Sequence, residues 1–361
     1  MQTAWICDYF DQGGVRRLKT FKTKRQADAF IVEAKGEVAR GVHTPESASI
    51  TVREAADLWL ERATADGLER GTTVKYKSHI ELHIAPYLGN VKLAKLSTPV
   101  IEKFKDDMLG RLSRPMARKV LVSLKSILSE AQRRGLVAQN VAQGVRIKTK
   151  TREDDKAEIP SVAEVNAILA AAADRWRPLF LTAAFTGLRA SELRGLRWPD
   201  VDFEKKTISV AQRADAWGTI GDPKSKAGRR TIPMAPQVLN TLKEWRLRCP
   251  RRPAEEDGEP GQLHYVFPNG AGNVEDLGNI RKHGWVPAQI EAGIERPYGF
   301  HSLRHFFASW LIASRSFSPK EIQTLMGHSS IVMTYDVYGH LLPAPEDDHA
   351  RFSAAAMAVA Q

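Results

Sequence analysis

The stretch HSLRHFFASWL, residues 301–311, places His301, Arg304 and His305 at the head of an otherwise apolar, helix-like run. On a helix, positions i, i+3 and i+4 share a face, so these three polar side chains point one way. Two histidines four apart have the spacing of a zinc-protease helix. That motif needs a glutamate between them as base, however, and HExxH is absent. A guanidinium beside a zinc ion would also be repelled by it. Arginine is seldom buried unpaired, so Arg304 is expected to face a carboxylate or an anionic ligand. His305, which leads into FFASWL, reads as a packed or supporting residue.

A second arginine strengthens the case for an anion. In FTGLRASELRGL, residues 185–196, Arg189 follows Gly187 at a break in an apolar helix, where a polar head can emerge into a cleft. Glu192, three residues on, is close enough to orient it. DPKSKAGRRTIPM, residues 222–234, reads as a basic β-turn that offers Lys224 or Lys226 to a phosphate or a leaving oxygen. LMGHSSIVMTYDVYGHLLP, residues 325–343, adds His328 after a helix stop, then Tyr335 and Tyr338. Phosphoryl chemistry needs one hydroxyl in line with a phosphate whose oxygens are held by guanidinium groups. The sequence has no Walker A loop, acidic metal cluster or GxGxxG, which argues against nucleotide hydrolysis and two-metal nuclease chemistry.

The chain has 361 residues, 43% hydrophobic and 26% charged, which suits two or three globular domains. Its longest apolar runs fall short of the roughly 20 residues that cross a bilayer, and MQTAWICDYFDQGG does not read as a secretion signal. Cys7 and Cys249 form no framework, and a reducing cytoplasm is the simplest reading. The net charge of +11 is uneven: residues 51–150 hold 19 basic and 10 acidic side chains, whereas residues 151–361 hold 26 of each. A concentrated basic surface favours a polyanion, most often nucleic acid.

Residues 1–45 are expected to form two strands around an Asp11–Gly14 turn, followed by a helix from near Thr23 to Gly41. A Thr51–Glu54 capping box opens a run of helices to Gly135, within an all-α bundle over residues 50–147. A charged linker, RIKTKTREDDKAEIP, leads to a mainly helical segment with a small antiparallel β-sheet over residues 158–345, opened by a Ser161–Glu164 box. KTISVAQ and RRTIPMA are its predicted strands, and SPKEIQTLMG its helix capped by Ser318 and Glu321 and stopped at Gly327. Residues 346–361 form a C-terminal tail.

In their order and spacing, TGLRASEL, the hairpin lysine, HSLRH, MGHSS and YDVYGH resemble the catalytic domain of the tyrosine recombinases, and the whole chain resembles a phage-type integrase. The resemblance implies a small arm-type DNA-binding domain over 1–45, a core-binding domain over 50–147 and a catalytic domain over 158–345. It implies that Tyr338, which precedes Gly-His, attacks the scissile phosphate to give a 3′-phosphotyrosine and a free 5′-hydroxyl; Tyr335 is its rival on spacing. Arg189 and Arg304 would hold the non-bridging oxygens. Lys224, or alternatively Lys226, would protonate the 5′-oxygen, His301 would assist proton transfer at the tyrosine, and His328 would bond a phosphate oxygen. Glu192 and His305 would support the site from behind. No cofactor or metal is required, because the phosphotyrosine conserves the bond energy. The implied partners are double-stranded DNA attachment sites, three further copies in a homotetramer on DNA, and accessory DNA-bending or excision factors, in the cytoplasm with the nucleoid. Lys75, Lys77, Arg118, Lys119 and Lys125 are candidate DNA contacts. A type IB topoisomerase-like nicking enzyme and a non-catalytic architectural DNA-binding protein are the alternative readings.

Overall fold

The computed structural model describes residues 4–11, 13–40, 43–148, 158–253 and 261–338. The chain divides into two compact units, Met1–Thr151 and Arg152–Gln361. The tail, residues 346–361, and most of the charged linker lie outside the described residues.

The first unit opens with an antiparallel hairpin, β1 (Trp5–Phe10) and β2 (Arg16–Phe21), with Cys7 opposite Lys19. Asp11 closes its turn, its Oδ1 accepting from the backbone of Gly13 and Val15. Thr23 caps α1 (Lys24–Ala39). His43 ties these pieces together: its Nε2 meets Tyr9 Oη at 2.9 Å and its Nδ1 meets Glu37 at 2.9 Å.

The bundle follows, with the predicted Thr51–Glu54 box at the start of α2 (Val52–Ala65). The helical run that leads to Gly89 is α3 (Arg70–His79), a π-helical turn over Ile80–Ile84, and α4 (Ala85–Leu88). The cause is Pro86. It has no N–H for Leu82 and its ring crowds that carbonyl, so the turn before it widens. α5 (Thr98–Leu109) and α6 (Arg114–Arg133) complete the bundle. α6 buries Val120, Leu121, Leu124, Ile127 and Leu128, the stripe its periodicity predicts, each worth about 1.5–3 kcal/mol of apolar burial.

The second unit begins with α7 (Val162–Ala171), capped by the Ser161–Glu164 box. α8 (Arg177–Thr186) is buried on nearly every side, and α9 (Ala190–Gly195) follows the Gly187 break. β3 (Val201–Asp202), β4 (Thr207–Val210) and β7 (Arg230–Pro233) form a small antiparallel sheet in the order β3-β4-β7. Ile208 faces Ile232 and Val210 faces Arg230, so the two predicted strands pair as expected. Between them a second hairpin forms, β5 (Arg213–Ala214) with β6 (Ile220–Gly221).

Helices α10 (Pro236–Arg248), α11 (Leu277–Asn279), α12 (Val286–Glu291), α13 (Ser302–Ala313), α14 (Pro319–Met326) and α15 (Ile331–Tyr338) complete the described fold. A second π-helical turn, Ile280–Trp285, again runs up to a proline, Pro287. Trp176, Phe180, Trp285 and Phe300 pack into the main core, while Phe307, Leu311, Ile322, Met326 and Tyr338 form a smaller cluster where α13, α14 and α15 meet. No described helix is long and apolar enough to cross a membrane.

Candidate active site

Two left-handed glycines shape this site. Gly187, at φ +61°, ends α8 and releases Arg189 to start α9. Gly327, at φ +63°, ends α14 beneath a Ser318–Glu321 capping box and turns the chain toward His328. A Cβ on Gly187 would sit 2.3 Å from Phe307 Cδ1. Left-handed strain and this overlap together predict that Gly187→Ala destabilises the second unit by about 2–5 kcal/mol, a loss that denaturant unfolding of the variant measures.

The C-terminus of α14 organises the arginines. Its last carbonyls have no partner within the helix. Arg230 Nε donates to Leu325 O at 2.7 Å, Arg304 Nη2 donates to Met326 O, and Arg189 Nη2 donates to Gly327 O at 3.0 Å. Three cations at the negative end of a helix dipole satisfy the exposed carbonyls and are favoured electrostatically. Arg304 is also anchored across the cleft, Nη1 donating to Gly187 O at 2.5 Å. Both glycine turns are therefore fastened to the HSLRH helix by one guanidinium.

Glu192 is the counter-charge, and it is 3% exposed. Its carboxylate accepts from Arg189 Nη1 at 2.8 Å and from Arg230 Nη1 and Nη2 at 3.2 and 3.0 Å, and one oxygen also takes the Arg189 backbone N–H. Burial alone would raise its pKa. The charge and hydrogen bonds of Arg230, followed by those of Arg189, reverse this and hold it below the usual carboxylate range. Arg230, its side chain 3% exposed, was not singled out in the sequence. Within GRRTIPM it reads as one more basic hairpin residue, and only the β4–β7 register aims it at Glu192.

Three arginines around one carboxylate leave excess positive charge in a largely buried cluster. Burial depresses the pKa of Arg304 to about 9, with Arg189 adding to the effect, yet it stays cationic at neutral pH. His301 keeps part of its surface in solvent, yet the protein packed around its ring, then His305 and the arginines, push it down to about 4. His328 is pushed down to about 3 by burial and by Arg304, Arg189 and Arg230. Both imidazoles are therefore neutral at pH 7. His328 Nδ1 lies 2.9 Å from Thr334 Oγ1, and both residues are buried. Three guanidinium groups around the single Glu192 carboxylate leave N–H donors and positive charge that suit a phosphate diester.

Tyr338 is 2% exposed, and its hydroxyl lies 2.7 Å from His305 Nδ1. Burial pushes the phenol up to about 12, against a lowering by the nearby Arg304 charge. Tyr335 is 48% exposed. The structure thus gathers Arg189, Glu192, His301, Arg304, His305, His328 and Tyr338, and adds Arg230. It bonds the tyrosine to His305 and not to His301, the histidine that the resemblance assigned to that proton. The two rings stand edge to face, 5.0 Å apart. Lys224 and Lys226 are both exposed between β6 and β7, and neither ammonium is bonded to the cluster among the described residues.

In the first unit, Lys75 on α3 and Lys119 on α6 are exposed, and their charges add to burial and His83 in lowering the pKa of His79. Lys77 lies instead near Glu81, and Arg118 is exposed. Lys125 is half-buried and donates to Gln143 O at 3.1 Å, which takes it out of the exposed set.

A mainly helical domain with a small sheet, carrying this arginine–histidine–tyrosine cluster, has the tyrosine recombinase catalytic fold. Residues 161–344 match the phage integrase family and residues 51–109 match the phage integrase N-terminal SAM-like domain. The chain belongs to the phage integrase family and is a tyrosine-type recombinase, a DNA strand-transferring enzyme. It is 30% identical over 363 residues to a XerC-like tyrosine recombinase of Caldanaerobacter subterraneus, spanning 92% of this chain and 90% of that one. It is 30% identical over 325 residues to the prophage integrase IntR of Escherichia coli, spanning 82% and 78%. Among solved structures it is similar to the Tn1549 transposon integrase in complex with a circular intermediate DNA, with a TM-score of 0.68, 21% identity, and 86% and 100% of the two chains covered. A lambda integrase tetramer bound to a Holliday junction gives a TM-score of 0.63 at 19% identity, covering 96% of each chain.

Proposed function

We propose that the protein cuts and rejoins DNA at specific sites through a 3′-phosphotyrosine on Tyr338, to integrate or excise a mobile element. The observation that carries this reading is the placement of a single buried tyrosine hydroxyl beside Arg304, within a pocket whose cations exceed its anions. Arg189 and Arg304 would grip the non-bridging oxygens and stabilise the pentacoordinate transition state. His328, held by Thr334, would donate to a phosphate oxygen, and Lys224 or Lys226 would swing in from the hairpin to protonate the 5′-oxygen. His301 borders the same pocket. Glu192 and Arg230 would hold Arg189 in place without touching the substrate.

The relatives from a prophage and a transposon support a mobile-element role. The lambda integrase tetramer and the DNA complexes among the structural neighbours support assembly as a tetramer on double-stranded attachment sites. In this reading residues 1–45 bind arm-type sites, residues 50–147 clamp the core site through Lys75, Lys77, Arg118 and Lys119, and residues 158–345 cut. Accessory DNA-bending or excision factors would set the direction.

A nicked suicide duplex carrying sequence from the flanks of the gene tests the reading. In chelator-containing buffer the wild-type enzyme is expected to form a denaturant-resistant adduct whose phosphorylated peptide maps to Tyr338. DNA binding with no adduct on any flank sequence would favour the architectural alternative, and relaxation of plasmid lacking any attachment site the topoisomerase-like one.

A further inference from the structure

We propose that His305 is the catalytic residue that takes the phenolic proton from Tyr338 during strand cleavage, an inference that rests on the Tyr338 reading above. The hydroxyl and His305 Nδ1 are 2.7 Å apart, within proton-transfer distance. His301, by contrast, meets His305 edge to face with ring centroids 5.0 Å apart, while the tyrosine hydroxyl bonds to His305.

The need for such a group follows from burial. With its pKa near 12, the phenol is ionised in only about one molecule in 10⁵ at pH 7. Attack without a base would forfeit that factor. The environment of His305 suits it to the task. Burial first, then the charge of Arg304, lowers its pKa, which favours the neutral ring, whose Nδ1 can accept the phenolic hydrogen bond. Among the described residues, the titratable groups facing it are His301 and Arg304 on its own helix and Tyr338 on α15. Neutral His301 adds no charge that would repel a proton arriving on His305. The dianionic phosphorane forming against Arg304 offsets that arginine's repulsion of a nascent imidazolium.

The step balances. Tyr338 Oη forms its bond to phosphorus as the P–O5′ bond breaks, the phenolic proton moves to His305 Nδ1, and the 5′-oxygen leaves with a proton from a hairpin ammonium. Religation runs the same transfers backwards, His305 returning the proton to the departing tyrosine.

The test uses the full-length enzyme on the suicide duplex with a 5′-bridging sulfur at the scissile phosphate. A thiolate leaves unprotonated, so the general acid drops out and attack by tyrosine is isolated. His305→Gln is expected to slow adduct formation about 10²- to 10⁴-fold at neutral pH, with a rate that climbs about tenfold per pH unit as hydroxide replaces the imidazole. Added imidazole is expected to accelerate His305→Ala, which has room for it. His301→Gln should keep the wild-type pH profile on this substrate. The proposal is overturned if His305→Gln keeps the wild-type rate, or is slow with an unchanged pH profile while His305→Ala ignores imidazole. It is also overturned if His301→Gln shows the hydroxide dependence instead. In each of those outcomes the wild-type adduct at Tyr338 still forms, so the proposed function stands. If no wild-type adduct forms at all, both fall.

Discussion

Tyr338→Phe is expected to abolish the covalent adduct, at least about 10⁴-fold below wild type and limited only by detection, because no oxygen remains to bond phosphorus. The variant should fold. Phenylalanine keeps the ring that packs in the cluster of Phe307, Leu311 and Met326. It gives up one hydrogen bond to His305, worth about 1 kcal/mol. Affinity for DNA should persist, since protein–DNA affinity rests mainly on many phosphate contacts and Tyr338→Phe removes no charge. Tyr335→Phe is the matched control. That residue is half-exposed on the same helix, and its loss should leave adduct formation within about threefold of wild type. Quantifying denaturant-resistant adduct for the three proteins on one duplex decides between the two tyrosines, and an adduct that survives Tyr338→Phe would move the nucleophile elsewhere.

Much of this site is legible in the sequence because its parts are local. A capping box, a glycine stop and an i, i+3, i+4 triplet each declare themselves within one turn of helix, and Ser161, Ser318, Gly187 and Gly327 all appear where those signals put them. Residue type also separates Arg189, Arg304 and Glu192 from a solvated face, since they interrupt apolar runs. What stays hidden depends on how distant segments meet. Arg230 differs in no local respect from Arg229, yet one is buried against Glu192 and the other pairs with exposed Asp222. Helical spacing sets His301 and His305 on a common face but cannot say which of them a tyrosine more than thirty residues on will reach. The π turns before Pro86 and Pro287 escaped for a different reason: apolar periodicity averages over a whole helix and hardly registers one widened turn. The hairpin lysine is the remaining case. Lys224 and Lys226 are both exposed, two residues apart, and Lys226 opens a short 3-10 turn, so which ammonium reaches the 5′-oxygen depends on how the hairpin meets DNA.

Arg304→Lys is expected to lower strand cleavage about 10³- to 10⁵-fold, the range associated with an arginine that stabilises phosphoryl transfer. A guanidinium has five N–H donors in a planar fork. Arg304 commits two of its nitrogens to Gly187 O and Met326 O and still has N–H groups to offer a phosphate oxygen. A lysine ammonium is shorter and has three donors from one point, so it cannot span both carbonyls and the phosphate. The same geometry predicts a structural cost. Releasing two carbonyls in a site where Arg304 is 3% exposed should destabilise the second unit by about 2–4 kcal/mol. The two effects are separable. Single-turnover cleavage measured well below the melting temperature reports lost transition-state binding, whereas denaturant unfolding reports the lost anchors. Because the charge is retained and one phosphate contact is a small share of the interface, DNA affinity and its salt dependence should barely change. Cleavage within about tenfold of wild type in a folded, DNA-bound Arg304→Lys protein would mean that charge alone suffices here. The fork from Gly187 to Met326 would then be holding the fold together and not the transition state.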